Sequence, residues 1–204
     1  MKLIVFGATG GTGQALLEQA LAAGHDVAAF VRDPARLGEV AERVTMITGD
    51  VLDLDAVTEA VRGREAVVSC LGTRPWAHTD ICSGGTRVIA RAMAAAGVQR
   101  LIVLSSQGVG DSTLGVAGRV MAALALRRAF RDKAQMEAEL GGTALEWTVV
   151  RPGLLTNGAA RGSWRTATDG SLVGGKIARA DVAAFVLGEL AQRQFVRQRP
   201  VLVW

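Results

Sequence analysis

The sequence predicts an open, doubly wound α/β sheet with helices on both faces, and three observations carry that prediction. Short, continuous apolar runs recur along the chain, starting with Leu3, Ile4, Val5 and Phe6. Unbroken rather than alternating hydrophobicity marks strands covered on both faces, as in a parallel sheet. These runs alternate with helical patterns over short connections, the signature of strand–helix–strand winding. A glycine-rich loop, Gly7-Ala8-Thr9-Gly10-Gly11-Thr12-Gly13, joins the first run to the first helix.

The elements follow in order. After the first strand and its loop, a helix is expected over residues 12–23, stopped by Gly24. Residues 26–31 and 44–48 form the second and third strands, and a helix over 53–61 has Asp53 at its start, where a carboxylate caps free N–H groups. A fourth strand covers 65–71, a helix 84–96 and a fifth strand 101–104. A long helical stretch over 116–140 precedes a sixth strand at 147–150, a last helix at 181–191 and a closing strand at 201–204. Two glycine-rich, irregular stretches remain, 107–112 and 154–175. Loops beyond strand ends shape the ligand crevice of such sheets, so substrate loops are expected at about 107–118 and 154–176.

A chain of 204 residues suits one domain, here spanning 1–204, with no room for a separate substrate domain. Half the residues are hydrophobic and 21% charged, an ordinary globular balance. A formal charge of +4 fits an anionic small ligand; the arginines are scattered rather than interleaved with aromatics, which argues against nucleic acid. Cys70 and Cys82 make neither a disulfide framework nor a metal pattern. The apolar run 114–126 contains Arg119 and is too short to span a bilayer. A soluble, cytoplasmic protein without a metal or a membrane partner is expected.

The spacing Gly7-x-x-Gly10-x-x-Gly13 lies directly between a strand and a helix, the context in which it matters. Missing side chains let the backbone turn tightly and let a pyrophosphate reach the helix N-terminus, where free N–H groups and the dipole favour negative charge. A Rossmann-type dinucleotide site follows. Arg32 stands at the tip of the second strand with Arg36 close behind. There an arginine can pair with the 2′-phosphate of NADP, where NAD binders place a carboxylate. NADP(H) is therefore preferred and NAD(H) left open by Asp33, whose place before Pro34 suits a turn or cap better.

With Val31-Arg32-Asp33, Gly49-Asp50-Val51 and Leu71-Gly72-Thr73-Arg74 added to the glycine loop, the sequence resembles the atypical short-chain dehydrogenases. Within them it is similar to the biliverdin-IXβ reductase (flavin reductase)-like branch and, more distantly, to the NmrA-like NAD(P)H-binding proteins. The resemblance implies that Gly7, Thr9, Gly10, Thr12 and Gly13 form the pyrophosphate loop, that Arg32 and Arg36 hold the 2′-phosphate, and that Asp50 and Val51 flank the adenine. It further implies that Leu71, Gly72 and Arg74 line the path to the nicotinamide, which Ser106 and the turn Pro152-Gly153-Leu154-Leu155 flank. Arg179-x-Asp181-Val182-Ala183 is similar to the family's late helix start, with Asp181 expected as an N-cap.

One departure matters. Short-chain dehydrogenases use a Tyr-x-x-x-Lys pair as proton donor, and this chain has no tyrosine; Ala129 stands four residues before Lys133. The flavin reductase branch also lacks that tyrosine. The expected activity is NADPH-dependent transfer of hydride to a planar, electron-poor acceptor: a flavin, a quinone or a linear tetrapyrrole. Ser106 is the candidate catalytic hydroxyl, and the proton comes from water or from a serine-ordered water. A non-catalytic NADP(H) sensor of the NmrA-like type is the alternative. His78 is a loop histidine open to proton donation or to plain solvation, and His25 is structural. Cys70, with no basic neighbour, is inert core. Arg127, Arg128, Arg131 and Lys133 make a solvated basic helix face. Trp76 and Trp164 either stack on a planar substrate or cover the core edge.

Overall fold

The computed structural model describes residues 1–72, 80–110 and 127–204. Eight strands form one sheet in the order β3-β2-β1-β4-β5-β6-β10-β8. The strands are β1 (Lys2–Phe6), β2 (Asp26–Val31), β3 (Thr45–Thr48), β4 (Ala66–Ser69), β5 (Arg100–Leu104), β6 (Glu146–Pro152), β8 (Arg165–Ala167) and β10 (Val201–Val203). All pairings are parallel except β10 with β8. β7 (Leu154–Thr156) and β9 (Lys176–Ala178) pair in parallel as a small separate ribbon.

Helices cover both faces, so the central strands are apolar throughout. One core cluster packs β1, β2 and β4 side chains such as Leu3, Val5 and Val68 against α1 (Gly11–Ala22) and the last helix, α5 (Arg179–Gln192). The other packs Ile4, Phe6 and Val67 against α2 (Leu54–Val61), α3 (Ile81–Ala96) and α4 (Arg127–Gly141). Every residue of β4 and β5 is buried, whereas β3, an edge strand, exposes Thr45 and Met46. The parallel core points its carboxyl ends one way. Chain order reverses between β1 and β4, and a crevice opens at such a switch point.

Most expected elements stand, and the differences have local causes. Asp53 caps α2, accepting from the N–H of Asp55 and Ala56 at 3.0 and 3.1 Å. A 3-10 segment, Pro34–Arg43, fills the second connection and kinks at Gly38, where φ is 64°. Residues 154–175 are not wholly irregular, because they contain β7 and β8, drawn into strands by β9 and β10. Of the expected helix 116–140, the described part is α4; residues 116–126, Leu114 and Arg119 lie outside the described residues. Asp181 is not an N-cap. The helix starts after Ala178, and the Asp181 carboxylate instead accepts from Arg161 N, Gly162 N and Trp204 Nε1, tying two distant segments to α5. Among the described residues no helix is long and apolar enough to cross a membrane.

Candidate functional site

The glycine loop is shaped by contacts that exclude side chains. Gly7 has φ +73°, and a Cβ there would lie 2.5 Å from the Cys70 carbonyl oxygen at the end of β4. A Cβ on Gly13 would lie 2.4 Å from Gly7 O, so Gly13 lets α1 press onto the loop. Gly10 N donates to Gly7 O at 3.1 Å and closes the turn. The N–H groups of Gly11, Thr12 and Gly13 open the first turn of α1 and have no intrahelical acceptor, the arrangement that receives a phosphate. Thr12 and Gly13 are buried beneath the loop, while Thr9 and Gly10 face outward.

A cleft of about 680 Å³ runs from this loop toward the tip of β2. Of the expected residues, Gly7, Thr9, Gly10, Arg32, Arg36, Val51, Leu71 and Gly72 line it. Phe30, Gly49, Cys70 and Ile81 line it too, and were not anticipated. Gly49 is required because a Cβ would meet the Phe30 ring at 2.6 Å. Asp50 uses one carboxylate oxygen within its own turn, accepting from Leu52 N at 3.0 Å. Arg32 and Arg36 are exposed at the far end. Between them Asp33 is occupied, accepting from Ala35 N at 3.2 Å as the cap of the 3-10 segment, and Pro34 follows at its first position. Two cations mark that end, beside a carboxylate that uses one oxygen in its own turn.

Past the end of β4 the cleft is lined by Cys70, Leu71 and Gly72; Ser106 and the Pro152–Leu155 turn do not line it. Ser69 pairs with Val103, so Gly72 and Ser106 extend equally far beyond the same rung. Arg74, Trp76 and His78 lie outside the described residues. On the far side of β5, β6 ends at the buried Pro152, and a Cβ on Gly153 would strike Gly175 O at 2.7 Å, which fixes the turn into β7. Leu155 packs partly into the core, whereas Leu154 and Val173 are 67% and 59% exposed. Trp164 meets Phe185 edge-on with ring centroids 6.1 Å apart, and so covers the core edge.

Lys133 is not on a solvated face. Its side chain turns inward from α4 and donates from Nζ to Ser105 O at 2.8 Å and to Ser106 Oγ at 2.7 Å. Burial lowers its pKa below the usual lysine value, and the nearby Glu137 and Asp132 carboxylates offset this only in part. The two serines are polarised in opposite senses. Ser105 donates to the Glu137 carboxylate, which Arg151 Nη2 holds at 2.6 Å. Ser106 accepts from an ammonium that can only donate, so its own O–H must point elsewhere. That O–H has no acceptor among the described residues.

Asp132 fastens this helix in place, accepting from Cys82 N and Ser83 N at 2.9 and 2.8 Å and so capping α3 from outside. Burial pushes the Cys70 and Cys82 thiols up to about 12, which leaves both inert. Sequence spacing gave no sign that Lys133 reaches Ser106. A usable signal is that lysine is scarce here: only Lys2, Lys133 and Lys176 stand among 23 basic residues.

Residues 7–193 match the model of a family described as NAD(P)H-binding. The chain belongs to that family. YwnB of Bacillus subtilis (strain 168) is 27% identical over 215 residues, covering 100% of this chain and 98% of YwnB. Among solved structures, ChuY of Escherichia coli O157:H7, an anaerobillin reductase, superposes with a TM-score of 0.85 at 29% identity, covering 100% of this chain and 97% of ChuY. A short-chain dehydrogenase/reductase of Veillonella parvula, solved in complex with NADP, has a TM-score of 0.86 at 19% identity, with 100% and 94% covered, and shares the fold. The protein therefore has the NAD(P)H-binding oxidoreductase fold of the family. The loop fits a dinucleotide: Gly7 and Gly13 allow backbone packing that a Cβ would block, and Gly7, Ala8, Thr9 and Gly10 line the cleft just before the first turn of α1.

Proposed function

We propose that the protein is an NADPH-dependent reductase that passes hydride to a planar, electron-poor acceptor such as a flavin, a quinone or a linear tetrapyrrole. The observation that carries this reading is Ser106, a hydroxyl that accepts from Lys133 just past the end of β5, the strand next to β4, in a chain without tyrosine. A tyrosine-dependent alcohol or sugar oxidoreductase lacks its acid here. A flat acceptor that holds its incoming electrons by delocalisation makes a smaller demand on the protein. ChuY's description as an anaerobillin reductase supports the same acceptor class.

The chain's own groups divide the work. Thr9, Gly10 and the first-turn N–H groups of α1 hold the pyrophosphate. Arg32 and Arg36 hold the 2′-phosphate, which makes NADPH the preferred cofactor. Asp50 and Val51 flank the adenine, and Leu71, Gly72 and Arg74 line the path to the nicotinamide. Ser106 and the Pro152–Leu155 turn, with Gly153 at its centre, flank the nicotinamide. When bound, the reduced nicotinamide supplies a hydride. The exposed Leu154 and Val173 offer an apolar surface suited to an aromatic acceptor and to keeping water off it. Orientation of the two reactants is then the protein's main contribution.

An assay of NADPH consumption against flavins, quinones and biliverdin isomers tests this. Saturable oxidation that depends on the acceptor is the expected result. A protein that binds NADPH and consumes it with none of these acceptors is not this reductase.

A further inference from the structure

We propose that Lys133 is the reserve of the transferred proton, delivered through Ser106. The inference rests on the reductase reading, and begins from donor counting. An ammonium has three N–H donors and no acceptor. Two of those on Lys133 are used, by Ser105 O and Ser106 Oγ. Because Ser106 Oγ accepts from the lysine, its hydroxyl proton is turned away from Nζ. The neighbouring serine cannot serve, since its proton is committed to Glu137.

Reduction of a flavin, quinone or bilin adds one hydride and one proton. The hydride comes from NADPH. As it arrives, the Ser106 O–H bond breaks toward the acceptor atom that gains negative charge, and Lys133 Nζ–H gives its proton to Ser106 Oγ. Serine ends as it began, lysine ends as a neutral amine, and solvent returns its proton before the next turnover.

The surroundings suit a group that must hold a proton and release it. Asp132 and Glu137 lie on the lysine's own helix, and Cys82 approaches from α3. Asp132 is already engaged by two backbone N–H groups and Glu137 by Arg151 of β6. Neither carboxylate is left as a competing close partner for the ammonium. Burial eases loss of the charge, whereas an arginine at this place would keep its proton at any working pH.

The test compares Lys133→Met, Lys133→Arg, Ser106→Ala and Ser106→Thr with wild type. It measures NADPH affinity, thermal stability, kcat against pH, and the NMR titration of the lysine side chains. With only three lysines in the chain, the Lys133 signal is assigned by its loss in either lysine variant. The expected result is a fall in kcat of about 10²–10⁴-fold in Lys133→Met, Lys133→Arg and Ser106→Ala alike, with NADPH affinity within about threefold of wild type. Ser106→Thr, which keeps the hydroxyl, retains most activity. In wild type, kcat falls on the alkaline side as Lys133 loses its proton, and Lys133 titrates below the usual lysine value. Full activity in Lys133→Arg, or in Lys133→Met, overturns the proposal while leaving the reductase reading intact; so does titration of Lys133 at or above the usual lysine value. Should a variant unfold, the wild-type pH profile and titration decide. Wild-type protein that reduces no acceptor overturns the reductase reading itself.

Discussion

Arg151 at the carboxyl end of β6 and Glu137 on α4 form a buried ion pair, with 2.6 Å between Nη2 and Oε2 and side chains 4% and 5% exposed. Two charges out of water are tolerated only where their remaining hydrogen-bonding capacity is met. Glu137 also receives Ser105 and Arg199, so one carboxylate joins α4 to β5, β6 and the chain near β10. The pair holds α4 at the depth that places Lys133 against Ser106.

Glu137→Ala should therefore destabilise the fold by about 3–5 kcal/mol, because it removes one partner of a buried ion pair. Urea unfolding of the two proteins measures it. A loss under about 1 kcal/mol, the range of an exposed pair, would show that this network does not anchor the helix.

At the other end of the site, the account concerns phosphate. Arg32→Ala should weaken NADPH binding by about tenfold, near 1.4 kcal/mol, and leave NADH binding within about threefold. The figure is modest because Arg32 is exposed and its charge is screened by solvent. Fluorescence titration with both cofactors checks this. Equal losses for the two cofactors would remove Arg32 from the 2′-phosphate, and equal affinities in wild type would remove the preference itself.

The glycine loop and the cleft it borders were legible in the sequence because their determinants are local. Gly7, Gly10 and Gly13 sit in one loop, and Arg32 follows directly from its strand. The central strands were equally plain, since burial on both faces writes continuous apolar runs such as Leu101 to Leu104. The rest depends on contacts between distant segments. Ser106 and Lys133 lie 27 residues apart, and nothing in a helical pattern says which residue turns inward. β8, with the sequence Arg-Thr-Ala, is a strand only because β10 lies beside it. Asp181 has the position and chemistry of a first-turn acid, yet its partners come from Arg161, Gly162 and Trp204.

That last cluster sets an acid limit. Burial pushes the Asp181 carboxyl upward, but hydrogen bonds from Arg161 N, Trp204 Nε1 and Gly162 N outweigh it, and the pKa falls below its ordinary 3.8. A depressed carboxylate contributes stability that is present above the unfolded value and lost as pH falls through the folded one. Wild type should lose this contribution below about pH 4, and Asp181→Asn should be less stable than wild type at neutral pH, with the gap narrowing toward acid. Tryptophan fluorescence during urea unfolding at a series of pH values reports it. A gap that stays constant with pH would mean that the carboxylate charge is not what holds the segment.

Reductase and sensor differ in whether anything leaves the cofactor, so the most direct measurement follows the hydrogen. NADPH deuterated at the nicotinamide C4, on one face at a time, is mixed with the protein and a flavin or bilin acceptor, and deuterium is located in the products by mass spectrometry and NMR. The account predicts acceptor-dependent oxidation in which deuterium is removed from one face only, with turnover slowed by that isotope and not by the other. Tight NADPH binding with no transfer to any acceptor from either face would contradict it and leave a protein that senses the cofactor without using it.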